Sequence, residues 1–314
     1  MIENITEVAL SVDETLRIRK QRILPPDESD RDKRICIVTG IHGDELEGQF
    51  VCYELIRRIQ RFPNNLHAIV DVYPSMNPLG MDTIERGIPL FDLDMNRIFP
   101  GTEQGTMAEY VAAQIIRDVD GADACVDIHA SNIFLRELPQ VRVNEIVGEK
   151  LVPLAKELNT DLVWVHPSAT VLESTFAHTM NSRGVPTFVV EMGVGMRITR
   201  EYGDQLTNGI LNLMSKLGFW SGPVHPPRKP IVAVGDVVEH VNASASGMFA
   251  QVAEHGSYIK KGEILGELID PLNGRIIENV MASCDGLLFT LREYPLVYEG
   301  ALLARILKGE CCHA

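Results

Sequence analysis

Residues 35–48 read ICIVTGIHGDELEG, and the fold turns on how they are read. Ile35 to Val38 form an apolar run, as expected of a short strand buried on both faces. Gly40, Gly43 and Gly48 then fence His42, Asp44 and Glu45 into a loop. Glu45 to Arg61 reads as a helix, because Val51, Leu55 and Ile59 share one face with Cys52 and Ile56 beside it. A buried strand, a polar glycine loop and an amphipathic helix in succession make the building unit of an α/β sheet. Loops at such positions carry function more often than the elements they join.

The same alternation continues outward. HAIVDVYPSMNP (67–78) reads as a second strand, Ala108 to Val119 as a helix and ADACVDIHA (122–130) as another strand. DLVWVH (161–166) and TFVVE (187–191) are two more strands, and Leu206, Ile210, Leu213 and Leu217 mark a late helix. The pattern predicts a mixed, mostly parallel sheet covered by helices on both faces, an α/β/α sandwich. One irregular piece, Pro74 to Thr106, interrupts it; a loop of that length inside a domain points to function. SGPVHPPRKP (221–230) has the composition of a linker. Beyond it, short apolar runs punctuated by glycine predict a small all-β unit. The expected division is a first domain over 1–222 and a β-rich, barrel-sandwich-like domain over 223–314.

Composition narrows the partners. The 314 residues carry 29 basic and 43 acidic side chains, a net charge of −14. That field repels phosphate backbones, so nucleic acid is not an expected partner. No basic leader precedes an apolar segment at the N-terminus, and no run of about 18 apolar residues occurs, so no signal peptide and no membrane association are expected. Of six cysteines, Cys36, Cys52 and Cys125 lie in apolar runs, as small hydrophobes would. A reduced, cytoplasmic protein is expected. The tail Cys311-Cys312-His313 reads as disordered rather than metal-binding.

Chemistry-bearing residues gather at strand ends. His42 and Glu45 are three apart, and a turn leading into the helix can aim both at one point. An imidazole and a carboxylate are two of the three protein ligands of a His₂Glu catalytic zinc site. DIHAS puts His129 at another strand end, and parallel strand ends share one crevice, which makes His129 a candidate third ligand. Asp127, two residues earlier, faces the same side; it either orients that imidazole or is a plain polar residue. Glu191 ends TFVVE just before Gly193 and is a candidate base beside a zinc-activated water. Ser75, Ser131 and Ser168 sit in no nucleophile elbow, H-E-x-x-H is absent, and GTEQG is no phosphate loop.

Taken in order, G-x-H-G-D-E-x-E-G, D-x-N-R, D-I-H and E-x-G resemble the succinylglutamate desuccinylase/aspartoacylase family, related to the zinc carboxypeptidases. The motifs span roughly residues 35–200, and the β-rich tail fits the same layout. The resemblance implies one Zn²⁺ per chain on His42, Glu45 and His129, with Glu191 as general base and acid. It implies that Asn96 and Arg97, in FDLDMNRIFPG, hold a substrate carboxylate; the planar guanidinium fork suits that role. It also implies an upstream arginine that polarises the scissile carbonyl, for which Arg86 is the nearest candidate. The common leucine of D-L-N-R is Met95 here, a swap of one apolar residue for another. Arg183 and Arg197 flank Glu191 and could grip a second carboxylate, although surface roles fit them better. His166 is a candidate for the pocket rim, whereas His178 reads as a packing or surface residue.

The expected activity is zinc-dependent hydrolysis of an amide bond in a small carboxylate-bearing molecule, an N-acyl amino acid deacylase. Two alternatives stay open: a zinc carboxypeptidase or peptidase acting on short peptides, and a non-catalytic binding protein. The C-terminal glycine rhythm resembles biotinyl and lipoyl domains, but no modifiable lysine occupies a matching turn. That region is expected to pack beside the site, shape its entrance or form a homo-oligomer contact.

Overall fold

Strand residues that alternate between two apolar environments fix the layers. Ile35 and Ile37 pack into one core cluster, while Cys36 and Val38 pack into another. A strand with both faces buried must lie inside a sheet covered on each side. A computed structural model describes residues 1–167 and 173–309. Ser168 and the tail Cys311-Cys312-His313 lie outside the described residues.

The chain opens with strands β1 (Ile2–Ala9) and β2 (Thr15–Ile23), then β3 (Arg34–Thr39), helix α1 (Glu47–Arg61), β4 (Ile69–Tyr73) and the short α2 (Pro78–Thr83). Next come α3 (Met107–Val119), β5 (Ala124–Ala130), β6 (Leu135–Asn144), α4 (Glu145–Ala155), β7 (Leu162–His166), α5 (Phe176–Ser182), β8 (Thr187–Gly193) and α6 (Arg200–Lys216). The main sheet runs β1-β2-β4-β3-β5-β8-β6, with β4, β3, β5 and β8 parallel and β6 antiparallel to β8. Helices α1, α4 and α6 cover one face, and α3 and α5 cover the other. This is the expected α/β/α sandwich with a mixed sheet.

Among the described residues after 230 the regular elements are all strands: β9 (Ile231–Val234), β10 (Val238–Asn242), β11 (Gly247–Gln251), β12 (Tyr258–Ile259), β13 (Ile264–Asp270), β14 (Arg275–Met281), β15 (Gly286–Arg292), β16 (Leu296–Val297) and β17 (Leu302–Lys308). Strands β14, β13, β11 and β16 make a separate antiparallel sheet. By contrast, β15 pairs with β6, and β17 and β10 follow it, so the main sheet continues into the C-terminal region. Among the described residues no helix is long and apolar enough to cross a membrane.

Several expectations need adjustment. Helix α1 begins at Glu47, so Glu45 lies in the preceding turn, where its carboxylate is free to face two strand ends. The Pro74–Thr106 stretch holds α2 and a one-turn helix, Met95–Arg97, each capped by a preceding side chain, Asn77 and Asp94. Strand β6 escaped prediction because Glu137, Gln140 and Arg142 break its apolar rhythm. The buried thiols behave as hydrophobes: burial pushes Cys36 and Cys52 up to about 12.

Candidate functional site

The glycine-fenced loop owes its shape to two constraints. Gly40 has φ of +70°, a conformation that side chains with a Cβ rarely adopt. Gly43 lies against the backbone of Gly80, where a Cβ would come within 2.0 Å of the carbonyl carbon. The loop is thereby pressed onto α2, with His42 and Glu45 buried at the ends of β3 and β5.

Glu45 is the hub. Its Oε1 lies 2.7 Å from Nδ1 of His42, and its Oε2 lies 3.0 Å from Nδ1 of His129. Ligand-capable atoms of His42, Glu45 and His129 all fall within 4.8 Å of one another. The outer nitrogens are also engaged: His42 Nε2 is 3.1 Å from Asp94 Oδ1, and His129 Nε2 is 3.2 Å from Asp127 Oδ2. Two inward Nδ1 atoms, one carboxylate and two carboxylates behind the imidazoles form a donor set suited to Zn²⁺. Burial alone would push the Glu45 carboxyl up, but the two imidazoles outweigh it and hold it below its ordinary value. Burial alone would lower both imidazoles, yet the carboxylates around them raise them above the usual histidine range. Their protons must leave when a metal enters.

Glu191 sits opposite His129 on the adjacent strand β8. Burial pushes its carboxyl up, opposed by Arg142, whose Nη1 lies 3.3 Å from Oε1. Gly193, two residues on, has φ of +67°, and a Cβ there would come within 2.0 Å of Glu47 Oε1. Glu47 in turn accepts from the backbone N–H of Thr199 at 2.7 Å, tying the loop after β8 to the start of α1. Glu47, the second glutamate of the glycine-fenced motif, therefore serves the fold.

Arg86 donates from Nη1 to Glu45 Oε1 at 2.9 Å and keeps 40% of its side chain exposed. Asn96 accepts from the N–H of Phe176 at 2.9 Å, which joins its loop to α5. Arg97 is half-exposed, and its Nη1 donates to the carbonyl of Asn96 at 2.8 Å. A cavity of about 570 Å³ brings together His42, Glu45, His129, Glu191, Arg86, Asn96 and Arg97, a volume suited to a small-molecule ligand. Arg183 and Arg197 are engaged elsewhere, with Asp120 and Glu293, and do not line it. His166 and His178 do line it; for His178, expected to pack or face solvent, the reason is that α5 runs along the cavity wall. Burial and the guanidinia of Arg142 and Arg305 push His166 down to about 4.

Sequence reasoning missed Asp94, although it is the first residue of D-x-N-R. It also missed Glu137, Arg142 and Arg305, which line the same cavity. Arg142 could have been suspected from its place in an otherwise apolar VRV run, whereas nothing local marks Arg305.

The family model described as the succinylglutamate desuccinylase/aspartoacylase catalytic domain matches residues 31–217. A curated relative, N-alpha-acetyl-L-2,4-diaminobutyric acid deacetylase of Halomonas elongata, is 23% identical over 276 residues, covering 85% of this chain and 80% of its own. The product-bound ectoine utilization protein EutE (DoeB) from Ruegeria pomeroyi superposes with a TM-score of 0.81 at 18% identity, covering 98% of this chain and 95% of that one. A succinylglutamate desuccinylase/aspartoacylase from Rhodobacter sphaeroides gives 0.78 at 21% identity, with the same coverage. At these identities the structural matches establish a shared fold.

Proposed function

We propose that this chain, which belongs to the succinylglutamate desuccinylase/aspartoacylase family, hydrolyses the amide bond of a small N-acyl amino acid with one Zn²⁺ per chain. The observation that carries the reading is the buried Glu45 carboxylate flanked by Nδ1 of His42 and of His129, with Glu191 on the next strand. A relative named as an N-acetyl amino acid deacetylase supports the same substrate class.

His42, Glu45 and His129 would hold the ion, which supplies Lewis acidity to the amide carbonyl and to water. Asp94 and Asp127 fix the two imidazole rings through their Nε2 atoms. Glu191, raised by burial, accepts the proton of the attacking water and returns it to the leaving nitrogen. The water oxygen ends on the acyl carbon, the C–N bond breaks, and a free amine departs. Arg86 stabilises the oxyanion as it forms, a charge that preorganised donors stabilise strongly. Arg97 pairs with the substrate carboxylate through its guanidinium fork, and the Asn96 amide nitrogen adds a neutral donor.

A panel of N-acyl amino acids and dipeptides, followed by mass spectrometry of the released amine, tests the reading with zinc-loaded protein. Release of one free amino acid per acyl group is expected. Cleavage of dipeptides alone would favour a peptidase, silence with zinc bound would overturn the substrate class, and protein that neither holds nor takes up zinc would favour a binding protein.

A further inference from the structure

The candidate base does not stand alone in its strand. Strand β6 pairs antiparallel with β8, and its register carries one extra residue: Gln140 faces Glu191, but Glu137 already faces Gly193. Side chains alternate along a strand, so an inserted residue flips the parity of everything beyond it. The bulge around Leu138 and Pro139 therefore turns Glu137 to the same face as Gln140 and Arg142. All three then meet. Arg142 Nη2 donates to both carboxylate oxygens of Glu137, at 3.0 and 2.8 Å, and Gln140 Nε2 donates to Oε2 at 2.9 Å. The other terminal nitrogen of Arg142 is the one aimed at Glu191, 3.3 Å away.

Glu137 is 1% exposed and is held from its far side by the C-terminal strands. Thr290 on β15 stands opposite it in register and approaches Oε1 at 3.5 Å. A second bulge, on β15, brings Thr290 opposite Arg305 of β17. Arg305 donates from Nη1 to Glu137 Oε1. Trp164 on β7 carries both guanidinia, each centred 5.7 Å from its ring. The chain Arg305–Glu137–Arg142–Glu191 thus runs across four neighbouring strands of one continuous sheet.

We propose that Arg142 is a positioning residue for Glu191, and that Arg305 of the C-terminal region holds it in place through Glu137. The proposal rests on the proton-transfer role given to Glu191 above. A carboxylate with free rotamers would spend much of its time away from the reacting water. A guanidinium locked on one side by a buried carboxylate holds it with one nitrogen and yields no freedom on the other. The C-terminal strands then belong to the catalytic apparatus without touching substrate.

The test compares zinc-loaded wild type with Arg142→Ala, Arg142→Lys, Arg305→Gln, Glu191→Gln and the double variant Arg142→Ala/Glu191→Gln, following kcat, KM and bound zinc. Arg142→Ala should lower kcat by about 100-fold, the order expected of a misplaced catalytic group. KM and zinc content should hardly change, and added methylguanidinium should restore part of the loss. Arg142→Lys should fall between Arg142→Ala and wild type. Arg305→Gln should lower kcat by about tenfold, since it acts through two intermediaries. In the Glu191→Gln background, Arg142→Ala should cost nothing further, because groups that act as a unit are not additive. If Arg142→Ala does not fold, Arg305→Gln and its double variant with Glu191→Gln carry the same comparison. A rise in KM at unchanged kcat would make Arg142 a substrate ligand and overturn the proposal. Full loss in both backgrounds, without rescue, would show a merely structural role and also overturn it. Wild-type turnover in Glu191→Gln would remove the proton-transfer role and this proposal together, whereas a harmless Arg142→Ala beside an inactive Glu191→Gln would sink the proposal alone.

Discussion

The two walls of the cavity are assembled in different ways. On the wall proposed to hold the metal, the polar groups come in tight sequence clusters: His42 with Glu45, Asp127 with His129, Asp94 with Asn96 and Arg97. On the Glu191 side, beside it in the same sheet, partners are brought together by strand pairing, with Glu137 and Arg305 168 positions apart and Glu137 and Thr290 153 apart. Local turns can place a few ligands finely, but only a continuous sheet fixes groups that far apart in the chain. The first wall is the one proposed to bind the ion, and the second is proposed to orient Glu191 beside it.

That contrast can be broken most severely at the ligands. His129→Ala should remove zinc binding and with it turnover, since a buried three-ligand site loses its closure; metal content after dialysis checks it. Variants of the Glu191 side should keep their zinc. A loss of zinc from Arg305→Gln would erase the distinction between the walls.

Arg86→Ala should lower kcat by about 10²- to 10³-fold, the usual range for removing one oxyanion donor, with the metal retained. Steady-state kinetics on the substrate found in the panel would show it. Arg97→Ala should act mainly on KM, raising it by about 10- to 100-fold, consistent with a lost charge-assisted pair of roughly 1.5–3 kcal/mol. A kcat effect at unchanged KM would move Arg97 from binding to chemistry.

The smallest effect on catalysis should come from the charge cluster under β2 and β4, away from both walls. Asp71 is fully buried and bonded by Lys20 and Arg22 at 3.3 and 2.7 Å. Burial alone would raise its carboxyl, but Arg22 and Lys20 outweigh it and hold it below the ordinary aspartate value. A depressed folded value means that its stabilisation is full above the unfolded value of about 3.9 and is lost as pH falls through the folded one. Asp71→Asn should cost about 3 kcal/mol of stability at neutral pH and flatten the acid side of the stability profile, with kcat unchanged. Denaturant midpoints across pH measure this.

The difference between the walls also explains what could be read in advance. The strand–loop–helix succession at 35–61 carries its own periodicity, and its two candidate ligands, His42 and Glu45, lie three residues apart. Strand ends that share a crevice then brought His129 and Glu191 into the same reading. Glu45 was expected to open the helix and instead precedes it, because boundaries depend on capping and contacts that periodicity does not encode. The Glu191 side depends on two bulges, each a one-residue shift that changes which side chains share a face of the sheet. Nothing in LRELPQVRVN alone announces that shift, apart from a proline at the bulge. Arg305, in a C-terminal strand, gains its place only through three strand pairings.

The most direct measurement is turnover of zinc-loaded Glu191→Gln beside its metal content. Full zinc occupancy is expected with kcat reduced by at least about 10²-fold, the lower bound for losing a general base. Zinc-replete Glu191→Gln that turns over like wild type would contradict it.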